Sequence, residues 1–363
     1  MGLVVDVYES IGALEKEWDD LVDQTGVSPF LRPGWMSAWW RHFGSGSLFV
    51  LAARQEGTLV GLLPMRMVRG GLRSPTNAHT PVFGFISTSD SAVAKLTEQL
   101  FSDRPRRIDL AFVDTNDAGL ERCGQAAPRL GYRVLLRTIM RSPRVRTDAD
   151  RQAYEQHLGS KLRSDLRRRR RRLDEKGSVS FEVSDGSDRL DELLAEGLAI
   201  EGSGWKASQG TAIESRPDTK GFYTEVARWS AERGWLRLAF LRLGGRPIAF
   251  DFCLEERGVH YLIKTGYDPA YRKYAPGMLI RQHMIYRAFS NAVSVYDFLG
   301  EDSEWKHEWA TERRDRVRMQ AFSPSPMGLA EWVIHAHGRP LAKRAVNFAE
   351  RTKLSADKAL RRR

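Results

Sequence analysis

The sequence predicts an α/β protein built as two similar halves, each combining helices with hairpin-connected strands. Three observations lead there. Apolar residues at helical spacing alternate with short continuous or alternating apolar runs along most of the chain. A strand–glycine–strand pattern recurs: FVLAARQEGTLVGLLPM (49–65) resembles AFLRLGGRPIAFDFC (239–253), with Gly57 falling on Gly245. The chain has 363 residues, enough to bury two cores of moderate size.

The elements follow in order. VVDVY (4–8) reads as a strand and residues 11–21 as a helix, and Pro33 opens a Trp-rich helix. Runs 47–55 and 59–67, separated by Glu56-Gly57-Thr58, form a hairpin. RIDLAFV (107–113) and YRVLLR (132–137) bracket a further helix. Residues 1–141 make the first half and 142–152, without apolar periodicity, a linker. Tyr154, Leu158, Leu162, Leu166 and Leu173 form one stripe of a helix that ends before Gly177. A strand (178–184), a helix to about 201 and a helix over 223–233 precede three strands at 235–243, 247–255 and 259–267. Pro276-Gly277 begins a long helix, 293–299 is a strand and 316–322 the last one. The second half spans 153–326, and 327–363 is a basic, helix-compatible tail.

Charge is unevenly placed. Lys and Arg number 57 against 46 Asp and Glu, a net charge of +11. Residues 159–172 and 339–363 each carry +7, so the remaining body is mildly acidic and the protein is not a uniformly basic nucleic-acid binder. No apolar run approaches the roughly 18 residues of a membrane helix, no signal peptide is visible, and two cysteines make no disulfide framework. A cytoplasmic protein is expected, with the basic tail able to lie on an anionic inner membrane face. His335 and His337 lack further ligands at metal spacing, so no metal site is expected. Nucleophile-elbow, P-loop and dinucleotide-binding motifs are absent.

The chemistry concentrates in residues 259–299. A strand runs into Tyr267-Asp268-Pro269, then Arg272, Lys273, Tyr274 and Ala275, then Pro276-Gly277 at a helix start. A helix N-terminus with two cations upstream is a physically sensible pyrophosphate cradle, although an ordinary basic turn reads the same way. Asp297 and Asp251 each sit inside apolar strands, where a carboxylate needs a partner. Lys264 or Lys306 is expected to supply it for Asp297. Each Asp is a candidate base, or one member of an ion pair joining strands. The six consecutive arginines 167–172 cover more than one helical turn, so Arg169 or Arg170 must fall near the apolar stripe and snorkel or meet an anion. Polysaccharide, lipid head group and RNA are the anionic partners considered.

Five stretches together resemble the GNAT (GCN5-related) N-acetyltransferase superfamily. They are SPFLRPGWMSAWWRHFG (28–44), LRSDLRRRRRRL (162–173), SGWKASQGTAI (203–213), YLIKTGYDPAYRKYAPGMLI (261–280) and VYDFLGEDSEWKHEW (295–309). The resemblance is to the cellulose-biosynthesis-associated branch, related to Fem-type peptidyltransferases. It implies tandem acetyltransferase-like lobes, each a mixed, largely antiparallel twisted sheet flanked by helices, and acetyl-CoA or another acyl-CoA as co-substrate. It places Arg272, Lys273, Tyr274, Ala275, Pro276 and Gly277 at the donor's pyrophosphate. The superfamily's loop is usually glycine-rich, and here Gly277 alone remains. The acceptor side is expected at Trp205, Lys206, Tyr267, Asp268 and Asp302, with Arg169 and Arg170, and the catalytic set is Asp297, Asp251, Lys264 and Lys306. The implied activity is acyl transfer to an amine or hydroxyl, on an anionic or sugar-containing acceptor such as an envelope polysaccharide or glycoconjugate precursor. Aminoacyl-tRNA-dependent peptidyl transfer and a non-catalytic accessory role are the alternatives.

Overall fold

The computed structural model describes residues 2–203 and 212–338. The strands are β1 (Val4–Tyr8), β2 (Ser47–Gln55), β3 (Thr58–Val68), β4 (Gly71–Arg73), β5 (Ile86–Ser87), β6 (Arg107–Asp114), β7 (Arg133–Arg146), β8 (Val179–Ser184), β9 (Leu236–Leu243), β10 (Arg246–Glu256), β11 (Val259–Tyr267), β12 (Val295–Asp297) and β13 (Glu312–Phe322). The helices are α1 (Glu15–Thr25), α2 (Pro33–Phe43), α3 (Asp90–Ser102), α4 (Ala118–Arg129), α5 (Arg151–His157), α6 (Ser160–Asp174), α7 (Leu190–Gly202), α8 (Pro217–Glu232), α9 (Pro276–Ser290), α10 (Glu304–His307) and α11 (Pro326–Val333).

The strands join into one continuous sheet, β1-β2-β3-β4-β6-β13-β7-β12-β11-β10-β9-β8, with β5 beside β3. The order is a palindrome of the two halves. In the first, β4 runs parallel to β6; in the second, β11 runs parallel to β12. Each half's last strand is exchanged. β7 follows β6 in the chain but pairs with β12, and β13 follows β12 but pairs with β6; the two pair with each other at the centre. Thus 312–322, which the sequence division leaves in the second half, completes the first half's sheet, and Val317, Met319 and Ala321 join that half's core. Residues 142–146, expected in the linker, finish β7. Their lack of apolar periodicity reflects a strand end paired on both sides rather than a tether.

The repeated hairpins have the same turn. Glu56 and Gly57 take φ of 51° and 83°, and Gly244 and Gly245 take 57° and 83°, the left-handed pair that a two-residue hairpin needs. Gln55 faces Thr58 across the first turn, and Leu243 faces Arg246 across the second.

Two expectations shift. The helix over the Tyr154–Leu173 stripe breaks at Leu158-Gly159 into α5 and α6, because Leu158 turns to an extended ψ of 111° while staying fully buried. Tyr154, Leu158, Leu166 and Leu173 still share one core cluster. Asp90–Ser102 is a helix that the sequence reading passes over; Ser89 caps it through Ala92 N–H. The halves meet across α2 and α8: Trp35 and Trp39 of α2 share a cluster with Phe222 and Tyr223 of α8. Contact is so close at Gly34 that a Cβ there would lie 2.0 Å from the Trp229 ring nitrogen.

Candidate functional site

The parallel pairing of β11 with β12 lasts three residues, ending at Tyr261 opposite Asp297. From there the strands part. β11 continues to Tyr267 with no strand on its β12 side among the described residues, and half-buried residues 263–268 lie along this opening. In the first half no such opening remains: Phe83 bridges to Val113 and its N–H bonds Phe112 O.

At the mouth of the opening β11 bulges. Phe252 faces Lys264 and Cys253 faces Leu262, so Ile263 is the extra residue. The bulge puts two successive side chains on one face. Leu262 belongs to the cluster under α9 and Ile263 to the cluster under α8. Lys264 Nζ then lies 5.1 Å from the centre of the Tyr223 ring on that same α8 face. Thr265 returns to the α9 face and accepts from Arg281 at 3.2 Å.

A residue from the first half reaches the same place. His79 Nδ1 is 3.1 Å from the Tyr223 hydroxyl, and its ring stacks on Phe43. Burial, then the charges of Lys264 and Arg216, push the His79 pKa down to about 4, so the ring is neutral near pH 7. Burial also lowers the Lys264 pKa, opposed by Glu201, and raises that of the fully buried Tyr223. The sequence reading missed His79 and Tyr223. They lie 144 positions apart and no motif spacing joins them.

Beyond Tyr267 the chain enters a 3-10 turn (Pro269–Tyr274). Asp268 caps it by accepting from Ala270 N–H at 2.9 Å and pairs with Arg246 at 2.9 Å. Arg272 and Lys273 are exposed, and Tyr274 is buried. Ala275 adopts a left-handed φ of 48°, and its carbonyl already accepts the N–H groups of Met278 and Leu279. Pro276 has no N–H, so the α9 start offers fewer bare donors than a glycine-rich loop would. A Cβ at Gly277 would meet only Tyr267, at 3.5 Å. These residues fit an acyl-CoA in an uneven way: an unpaired strand edge for amide groups and two cations for phosphate, but little backbone cradle.

The remaining predicted residues divide. Asp251 is fully buried and pairs with Arg281 of α9 at 2.9 Å; Arg281 also donates to the Tyr296 hydroxyl. Asp297, at the fork of β11 and β12, is not paired with either expected lysine. It accepts from Leu299 N–H at 2.8 Å. Burial raises its pKa while Arg316, Arg144 and Arg314 act against the rise. The reason is geometric: Lys264 sits on Tyr223, and Lys306 Nζ donates to the carbonyls of Leu299 and Glu301 at 2.6 and 2.8 Å. Burial and Arg281 push the Lys306 pKa down to about 8. Asp302 is held by His307 and Arg313. Trp205 and Lys206 lie outside the described residues. Of the six arginines, Arg169 and Arg170 are the half-buried pair and the other four are exposed. Arg170 lies over Phe181 and pairs with Asp174, whereas Arg169 reaches the donor-side turn. Among the described residues no group of three or more His, Cys, Asp or Glu could hold a metal ion.

Residues 160–307 match the family described as acetyltransferase (GNAT) domain. Among solved structures the chain is similar to FemX, with a TM-score of 0.60 and 11% identity over 88% of this chain and 97% of that one. It is also similar to a C-terminal domain ascribed to a lysylphosphatidylglycerol synthetase from Agrobacterium fabrum, with a TM-score of 0.57 and 11% identity over 90% and 97%. A conserved protein of unknown function from Bacteroides thetaiotaomicron gives a TM-score of 0.58 and 10% identity over 88% and 100%. No curated protein matches in sequence. At such identities the structural likeness is one of fold. Residues 160–307 thus carry a domain of the GNAT acetyltransferase type, and the chain as a whole shares its fold with FemX.

Proposed function

We propose that the protein is an acyltransferase that moves an acyl group, acetyl first among candidates, from a CoA-type thioester to an amine or hydroxyl acceptor. The observation that carries this is the fork: β11 parts from β12 after Tyr261, bulges at Ile263 and runs on, with its β12-side edge open, toward Arg272, Lys273 and the start of α9. An extended thioester arm can pair with such an edge, with its phosphates near the two cations. The acyl carbon then lies by the bulge, facing Lys264, Tyr223 and His79. The acceptor enters between the halves, on the α8 side. Asp251, Asp297 and Lys306 act as positioning residues: the first anchors α9 to β10, and the other two hold the loop after β12 that forms the far lip. Holding two reactants in line can carry most of such a rate. By the family resemblance, the acceptor is a precursor of an envelope polysaccharide or glycoconjugate. No helix among the described residues is long and apolar enough to cross a membrane.

A thermal-shift panel of acyl-CoAs and aminoacyl donors tests this reading. Ligand at 100 times its Kd should stabilise the protein by about 2.7 kcal/mol. No shift with any acyl-CoA would sink the thioester assignment, and a shift with aminoacyl-tRNA alone would put peptidyl transfer in its place.

A further inference from the structure

The Arg-rich helix α6 is not used by the acyl-transfer site as described, yet it lies against it. Leu166 and Leu173 bury one face of α6 in the second half's core, so the helix is a fixed platform. From that platform Arg169 donates at 3.2 Å to the carbonyl of Lys273, in the turn beside the cleft. The outer face carries Lys161, Arg167, Arg168, Arg171 and Arg172, all exposed. Arg168 pairs with Asp165. No hydrogen bond or ion pair within the described residues engages the side chain of Arg167, Arg171 or Arg172. From Lys161 to Arg172 the stripe is about 17 Å long at 1.5 Å per residue. It adjoins Arg272 and Lys273, which are exposed as well.

We propose that α6 docks an acidic carrier protein that presents the acyl group as a phosphopantetheine thioester. The inference rests on the thioester reading above and names the donor's class. Two observations favour it over free CoA alone. The backbone cradle for a pyrophosphate is weak, because Pro276 lacks an N–H and Ala275 O takes those of Met278 and Leu279. The cations also extend along a whole helix face, which is more than one nucleotide can cover and is the complement of an acidic helix. RNA is disfavoured because no aromatic side chain among the described residues stands exposed to stack an unpaired base. In the transfer, the acceptor's nitrogen or oxygen forms a bond to the thioester carbonyl carbon as the carbon–sulfur bond breaks. The acyl group passes to the acceptor, and the sulfur stays on the carrier's arm and takes up the proton that the acceptor loses.

The test measures binding of the full chain to three probes at low and near-physiological salt: acetyl-CoA, the acetylated form of a bacterial acyl carrier protein, and bulk tRNA. The protein is compared with a variant in which Arg167, Arg168, Arg171 and Arg172 are changed to Gln, all four exposed and so expected to leave the fold intact. A second variant, Arg167→Glu with Arg171→Glu, reverses charge with fewer changes. The carrier should bind at least about tenfold more tightly than acetyl-CoA at low salt, a difference of about 1.4 kcal/mol. Both variants should lose that advantage while acetyl-CoA binding stays within about twofold. Acetyl-CoA binding without carrier binding overturns this inference and leaves the acyltransferase reading standing. Tight, salt-resistant tRNA binding lost in the variants overturns it in favour of RNA. Binding of neither thioester removes both readings.

Discussion

Arg169 of α6 donates a 3.2 Å hydrogen bond to the main-chain carbonyl of Lys273, 104 residues away. The bond ties the most basic helix of the chain to the turn that precedes α9. It also separates the arginine run by role: Arg169 steadies a backbone segment, whereas its neighbour Arg168 pairs only along its own helix, with Asp165.

Arg169→Gln should therefore loosen the 269–274 turn and weaken acyl-CoA binding several-fold, with a small change in melting temperature. Arg168→Gln should leave that affinity unchanged. Calorimetry on the two variants checks the contrast, and equal affinities would show that the bond does not steady the donor side.

Gly277→Asp addresses the start of α9 directly. Only Tyr267 stands near the added Cβ, so the fold should tolerate the change. A carboxylate placed there opposes phosphate, and acyl-CoA affinity should fall at least tenfold, about 1.4 kcal/mol. Unchanged binding in a folded variant would move the phosphates elsewhere.

The buried Asp251–Arg281 pair predicts a steep stability effect. Asp251→Ala strands a fully buried guanidinium and should cost about 3–5 kcal/mol. Replacing both partners, with Asp251→Leu and Arg281→Met, should recover much of the loss, because no lone charge remains. Denaturant midpoints decide, and equal losses in the single and double variants would mean that other Arg281 partners, Tyr296 and Thr265, dominate.

His79 gives a pH signature. Its folded pKa, about 4, lies below its unfolded value near 6.5. The unfolded chain therefore takes up a proton that the folded ring refuses. The associated stability is complete above pH 6.5 and is lost as pH falls through 4. Asp117 runs the other way: burial raises it to about 6, and its contribution, present below 3.8, is lost as pH rises through 6. The His79 contribution is thus read as wild type minus His79→Gln. That difference should shrink on going from pH 7 to pH 4 by an amount on the order of 1–2 kcal/mol, allowing for the ring's partial exposure. A difference independent of pH would mean that the ring titrates normally.

What the sequence determined by itself was local. The hairpins around Gly57 and Gly245, the strand–turn–helix through Pro276 and the half-burial of Arg169 and Arg170 follow from spacing of 2 or 3.6 residues and from turn chemistry, each of which acts over a few positions. Only the tertiary structure decided the exchange of β7 and β13, because strand pairing depends on which edges are left open once both halves have formed. The same holds for Lys264. A one-residue bulge, invisible in the apolar pattern, turned it onto Tyr223. The meeting of His79 with Tyr223 required the halves to close across Gly34 and Trp229. Contacts over such sequence distances are set by the packing of whole elements, which leaves no periodic trace in the chain.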